Sequence, residues 1–553
     1  MWRLSPQDAT CLEQRGGFHL PSRPALDEFI VQYFRHVHPI IPLLNELEFW
    51  TTYLGPNPPL PGQKRIPLFL LQAMLFISCP YVPASTLHSL GFCSVRNARA
   101  DFYSRAKALF DIDFHRDDVT SAQGALMLTY HAVSNDDKTN TYWLSTAVHF
   151  ARNAHADHYV NMEANPKGNS RGVLKRLWWC CILRDRIMAL GLRRPLNIRP
   201  GDFDFTQPGL SESDFQDEIR NSRVYNAATK QVLVQLAVSL CELVVVLNEP
   251  LAILYPMGPG TKINEPRDIE RKINTCLADL NWWYEKTTAK FHIPSHIFGV
   301  HESLILFTDM MYIYYHTAKV SLCNHKVLVS VTDSDLVGYQ GDRQLEAQAE
   351  LDESLRSITE YLMELERLGQ IKYLPNTFVA FSALPFVWYI LDAKLINDGS
   401  ESEGARKDLK IYIDVMKGFR SLYESTDSVL QSIGKVINYI KLNELLQLPS
   451  SESIIGRGAH APAAAMAQNV ATRSGSSLVH LLAGKPRSYL RIALVVEYSL
   501  SRGRLPSEND FPKPLRLFRR NNNLSSVYNV FEDPTDAIIY DCLNRALEAD
   551  NGV

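Results

Sequence analysis

An all-α fold is predicted by two features of the sequence. Apolar residues recur at i, i+3, i+4, i+7 in segment after segment, and strict apolar–polar alternation over strand lengths is scarce. A third feature is punctuation: proline, glycine and small polar residues cluster at 56–62, 195–208, 255–266 and 398–404, dividing the chain into helix-length pieces joined by loops of one extended helical domain. With 553 residues, 46% of them hydrophobic and 21% charged, the composition is that of a folded protein and excludes disorder throughout.

Two helices stand out. Leu304, Phe307, Met311, Tyr314, Tyr315, Ala318 and Leu322 form one apolar stripe, with Asp309 and Lys319 assigned to other faces, so that helix is expected to pack along one long side. Leu351, Leu355, Ile358, Leu362 and Leu365 follow the 4-3-4-3 spacing of a heptad seam. A coiled coil needs about three to four heptads, so the seam is expected to face the intrachain bundle rather than a dimer zipper. Composition shifts at 449–486, where Ser, Gly and Ala-rich sequence lacks amphipathic order; a flexible insertion before a small C-terminal region is expected. No internal repeat of fixed period is visible.

The 57 Lys and Arg against 60 Asp and Glu leave a net charge of -3, so no global positive field drives binding to a phosphate backbone. The basic patch Lys513, Arg516, Arg519 and Arg520, with Phe518 between, is read as a solvated face or a nuclear-import signal. Nine cysteines at irregular separations do not form a secreted disulfide framework and fit a reducing cytosol or nucleus. The first ten residues carry Arg3 and Asp8 without an apolar segment, and the uncharged run 376–391 contains Pro385 and falls short of the ~18 residues a spanning helix needs; no secretion and no membrane insertion are expected.

A search for chemistry assigns no catalytic, cofactor-binding or metal-ligating residue. His301-Glu302 is followed by Ile305 where a zinc-binding H-E-x-x-H helix needs its second histidine. The loop at 258–262 lacks the glycine spacing and preceding strand of a phosphate-binding loop and reads as a turn. No G-x-S-x-G elbow occurs. His149, His155 and His158 are read as surface or capping histidines near a helix end. Trp282, Trp283 and Tyr284 raise a small-molecule pocket as a remote alternative to plain core packing. No C-x-x-C pair exists in the chain, and the adjacent Cys180 and Cys181 point about 100° apart on a helix.

The most informative stretch is 175–186. Leu174, Leu177, Trp178, Cys181 and Met188 define an apolar stripe, and Asp185 lies on it. A carboxylate facing a core must be paired and hydrogen-bonded. Cys181, Ile182, Met188 and Ala189 offer no cation, so Arg193 or Arg194 in the following turn is expected to be its partner, in an ion pair that fixes the turn into Pro195.

The same residues carry a resemblance. Arg176-Leu177-Trp178-Trp179, Arg184-Asp185-Arg186, Gly191, Arg194-Pro195 and Asp202-Phe203-Asp204 resemble the signature of the fungal-specific transcription factor domain, the regulatory middle region of fungal zinc-cluster transcription factors. Tyr33-Phe34, Val37-His38-Pro39, Pro42-Leu43-Leu44 and Phe49 resemble its opening helix and turn. The stretch 71–76, then Phe102-Tyr103, Arg105-Ala106, Leu109, 123–128, Trp143 and Ala147 follow in the family's order. Tyr81-Val82-Pro83, Gly91-Phe92, Tyr489-Leu490-Arg491, the stretch 503–506 and Asp510-Phe511-Pro512 resemble the subfamily of the cutinase-gene activators. Two departures stand out: Ala154-His155-Ala156 replaces the family's Gly-Leu-His, and the N-terminal zinc cluster with its basic linker is absent from this chain.

The resemblance implies residues 1–25 as a short leader like the family's linker, 26–448 as the all-helical regulatory domain, 449–486 as the flexible segment and 487–553 as a family-like tail. It implies a nuclear, non-enzymatic regulator of a limited, metabolic or biosynthetic gene set. Other transcription regulators or a second copy would be its partners, and a small molecule its inducer. No cofactor is expected in this chain, and DNA would be reached indirectly or through a zinc-cluster module encoded upstream in the same frame. The alternative is a DNA-free co-regulator or inhibitor that pairs with a complete family member.

Overall fold

The computed structural model describes residues 5–56, 65–112, 117–132, 139–161, 171–257, 266–291, 300–332, 340–395, 402–440 and 486–516. The glycine-containing loop at 258–262, nearly all of the segment 449–486, Phe518, Arg519, Arg520 and most of the C-terminal tail lie outside them. Among the described residues there are nineteen α-helices and no strand, as the periodicity predicts.

The first helices are α1 (Pro6–Gln14), α2 (Arg23–Gln32), α3 (Glu46–Tyr53), α4 (Leu68–Ser78), α5 (Ala84–Ser89), α6 (Val95–Asp111), α7 (Asp118–Leu128) and α8 (Thr139–Asn153). Their starts are written in the sequence. Asn45, Ser94 and Asp117 each accept a backbone N–H of the first turn with a side-chain oxygen, capping α3, α6 and α7. Helix α2 runs into a π-helical turn, Tyr33–Val37, that leads into His38. Helices α4, α6, α7 and α8 pack on one another. Helix α7 packs tightly on α4 at Gly124, where a Cβ would stand 2.2 Å from the Phe69 ring. The residues before α2 join this group: Leu12 is fully buried, and Gln72 donates to the carbonyls of Gly17 and His19.

The middle of the chain forms α9 (Arg171–Leu192), α10 (Gln216–Asn221), α11 (Ala227–Val246), α12 (Asn248–Leu254) and α13 (Pro266–Lys290). It is followed by α14 (Glu302–Thr332), α15 (Gln340–Arg367), α16 (Thr377–Leu395), α17 (Ser402–Leu422), α18 (Ser425–Tyr439) and α19 (Pro486–Arg502). The heptad seam of α15 is buried against α14 of the same chain.

Helix α14 departs from expectation. Rather than packing one side, it is contacted by α9, α11, α12, α13, α15, α16 and α19, and both Asp309 and Lys319 are buried. Seven neighbours leave no solvent face for the two charges. Lys319 lies 3.9–4.0 Å from Glu350 and Glu353, and burial pushes the Asp309 carboxyl well above the usual range.

Helix α11 is long and apolar enough to cross a membrane by length and composition, and the sequence reading did not single it out. In the fold, 61% of that stretch is buried, with α9, α13 and α14 packed on it. One core then runs from Leu12 to Leu515. Within it, Tyr489 of α19 stacks on Trp388 of α16 at 5.0 Å and donates to Asn324 of α14.

Candidate functional site

Helix α9 is packed by α7, α8, α11, α12, α14 and α16, and it buries Arg176, Arg184, Asp185 and Arg186 along with its apolar residues. Desolvating a charge is costly unless it is paired and hydrogen-bonded. The partners of these four residues therefore define what the helix does.

Asp185 is 2% exposed, and the structure corrects its expected partner. Its Oδ2 accepts from Arg186 Nη1 at 2.6 Å and from the Ile198 backbone N–H at 3.0 Å, while Oδ1 accepts from the Asn197 N–H at 2.9 Å. Arg193 instead donates to the Gly191 carbonyl, and Arg194 donates to Thr141. The reason is geometric. Arg193 sits at φ +54, which carries the chain out of α9 and brings the amides of 197 and 198 back onto Asp185. The carboxylate does fix the turn after α9, but through backbone N–H groups. Burial raises its pKa, and the Arg186 charge and the two amides oppose that shift. Arg186 extends the link, donating from Nε and Nη2 to Asn248 at the start of α12.

A second buried network lies at the other end of α9. Glu218 of α10 meets Arg176 at 2.6 Å, accepts from His38 Nε2 at 2.7 Å and lies 3.2 Å from Lys230 of α11. Lys230 also donates to Glu46 of α3 at 2.7 Å, and the other Glu46 oxygen accepts from Ser222 and from the Arg223 N–H. Burial alone would raise the Glu218 pKa, but His38, Arg176 and Lys230 outweigh it and hold the carboxyl below the usual range. Burial and Lys230 push the His38 imidazole down. His38, Glu46 and Glu218 present ligand atoms within 4.8 Å of one another, the one such buried trio among the described residues. The Lys230 ammonium already bonds both carboxylates, so the donor set suits an ion-pair network better than a metal ion.

Sequence reading missed this second network. Glu46 and Glu218 are too far apart in the chain for spacing to connect them. One signal was available: Lys230 is a lone cation in the apolar α11, as anomalous there as Asp185 is in α9.

The remaining candidates disperse. His149, His155 and His158 are exposed, and His155 takes φ +58 just past the end of α8, in keeping with a helix-end role. Trp282, Trp283 and Tyr284 do not line one pocket. Consecutive helical residues diverge by about 100°; Trp282 is 62% exposed, Trp283 is buried and donates to Ser239, and Tyr284 stacks on Tyr315. Of the basic patch, Arg516 folds back to donate to the carbonyls of Phe511 and Asn509.

Residues 30–285, which hold both networks, match the fungal specific transcription factor domain. It is 25% identical over 463 residues to cutinase transcription factor 1 beta of Fusarium vanettenii, an alignment covering 77% of this chain and 51% of that protein. It is 33% identical over 249 residues to cutinase transcription factor 1 alpha of the same fungus, covering 44% of this chain and 26% of the relative. It is also 32% identical over 206 residues to the acetamidase regulatory protein of Aspergillus fumigatus, covering 36% and 24%. The chain thus spans about half or less of the length of these relatives. No solved structure matches.

The signature residues of the domain now have physical roles. Arg176 joins α9 to α10 and to the carbonyl of Asp214, and Asp185 with Arg186 joins α9 to its exit turn and to α12.

Proposed function

We propose that this chain is the regulatory region of a fungal transcription regulator of the zinc-cluster type, nuclear and without catalytic residues, controlling a limited set of genes. What supports the reading is the coincidence of the domain match with the buried networks: the residues by which the sequence resembles the family are those that tie α9 to the rest of the fold. Its partners are other transcription regulators or a second copy, and DNA is contacted through a zinc-cluster module not found in these 553 residues. A second reading is a co-regulator that pairs with a complete family member.

The test is a fusion of the whole chain to a heterologous DNA-binding module above a reporter gene in a filamentous fungus. The fusion should enter the nucleus and change reporter transcription relative to the module alone. An intact nuclear fusion that leaves the reporter unchanged would overturn the proposal. Recovery of a complete family member in complex with the whole chain would favour the co-regulator.

A further inference from the structure

Helix α1 precedes the matched domain, which begins at residue 30, yet it is tied to it. It packs on α6, and its Leu12 is fully buried. Gly16, at φ +67, turns the chain past the end of the helix, so that the carbonyls of Gly17 and His19 accept from Gln72 of α4 at 3.2 and 2.9 Å. Arg105 of α6 also donates to the His19 carbonyl. These anchors lie in the last turn of α1 or just beyond it. At the other end Ser5, Pro6 and Gln7 are exposed.

Ser5 caps α1. Its backbone is extended, at φ -62 and ψ 149, the region to which a following proline confines a residue. Its Oγ accepts from the Asp8 N–H at 3.0 Å and donates to Asp8 Oδ2 at 2.6 Å. Of the 30 prolines in the chain, Pro6 alone follows a serine or threonine. A solvent-facing hydroxyl on an extended backbone with proline next to it is the substrate chemistry of a proline-directed protein kinase. Proline has no N–H and a fixed φ, so a pocket built for it rejects residues whose amide would be left without a hydrogen bond.

We propose that Ser5 is a phosphorylation site for a proline-directed protein kinase, and that access to it is set by how firmly α1 is held on the domain. In the transfer Ser5 Oγ attacks the γ-phosphorus of ATP, its proton passes to the catalytic aspartate of the kinase, and the bond to the bridging oxygen breaks to release ADP. The hydroxyl must first leave Asp8, and the turn after Pro6 must unwind to lie in the kinase cleft. Leu12, Gln72 and Arg105 oppose that unwinding from the far end, because a segment opens locally in proportion to how few anchors hold it. The product carries about two negative charges beside Asp8, at the point where the chain enters the domain. The site does not depend on the chain regulating transcription.

The test incubates the whole purified chain with an active mitogen-activated protein kinase and ATP, and locates and counts phosphate by mass spectrometry over time. Phosphate should appear at Ser5. Pro6→Ala keeps the hydroxyl and the helix, and should be phosphorylated there about tenfold more slowly or worse. Leu12→Ala and Gln72→Leu each loosen the far end of α1, and both should be phosphorylated several-fold faster than the wild type while circular dichroism shows the other helices intact. No phosphate at Ser5 in either the wild type or Leu12→Ala, or equal rates in the wild type and Pro6→Ala, would overturn the site. Equal rates in the wild type and in the two folded loosening variants would overturn the control by α1.

Discussion

Replacing Asp185 by asparagine keeps the shape of the side chain and removes its charge, which isolates what the carboxylate does. In the wild type it accepts three hydrogen bonds, from Arg186 Nη1, the Asn197 N–H and the Ile198 N–H. An amide offers one carbonyl oxygen and one NH2 group, so at least one of these donors would face another donor. Arg186, fully buried, would keep its Asn248 bonds and lose its counter-charge. Removing one member of a buried ion pair costs about 3–5 kcal/mol, most of it the desolvation of the charge left behind. Urea unfolding followed by tryptophan fluorescence, to which the buried Trp178 and Trp179 of the same helix contribute, measures that loss. Arg186→Met alone should also destabilise, and the double variant Asp185→Asn/Arg186→Met should be less destabilised than the sum of the singles by about 1–3 kcal/mol, because no unpaired charge remains. Amides of 196–198 should exchange faster in Asp185→Asn. A loss below about 1 kcal/mol, or strict additivity of the two singles, would refute the claim that this pair holds the exit turn of α9.

Two further outcomes follow from other parts of the core. His316 is buried with neither ring nitrogen hydrogen-bonded, and burial, then the nearby Lys319, pushes its pKa from 6.5 down to about 3. The unfolded chain therefore binds a proton that the folded chain refuses, so the penalty is absent above pH 6.5 and grows by about 1.4 kcal/mol per pH unit as pH falls toward 3. Near pH 5 this amounts to ~2 kcal/mol, and His316→Phe should flatten the pH dependence of the unfolding free energy by that slope; parallel curves would refute it. Separately, Gly124→Ala places a methyl group 2.2 Å from the Phe69 ring and should cost about 1–3 kcal/mol in thermal or urea unfolding, with partial recovery in Gly124→Ala/Phe69→Leu. A neutral Gly124→Ala would mean that α4 and α7 separate without cost.

Much of this fold was legible because local pattern decided it. The all-α class, the inward seam of α15 and the helix that buries Asp185 follow from periodicity alone. What failed, failed where tertiary context overrides the local pattern. Asp309 and Lys319 fall off the apolar stripe of α14, yet both are buried because that helix is surrounded on all sides. Arg193 and Arg194 were the nearest cations to Asp185 outside its helix turn, but the adjacent Arg186 reaches it. Neighbouring side chains on a helix diverge at Cβ, and a long guanidinium can fold back where a short side chain cannot. The pairing of Glu46 with Lys230 across 184 positions has no local signature at all.

The matched domain ends at residue 285, but the physical unit does not. Helix α14 packs on α9, α11, α12 and α13 from outside the matched segment. A cut at 285 would expose the faces of α9 and α11 on which α14 packs, and the contact of α9 with α16 where Gly191 meets Phe381. The later helices are thus positioned to restrain the earlier ones. Each buried charge on α9 is a point where its packing depends on one side chain: Arg176 toward α10, Arg186 toward α12, and Arg184 toward Thr129 and Tyr130 just past α7. Of the three, the first two are closed by protein carboxylates and can only be broken. The third is held by Thr129 and by the face of the Tyr130 ring, so its hold on α9 rests on neutral partners rather than on a counter-charge.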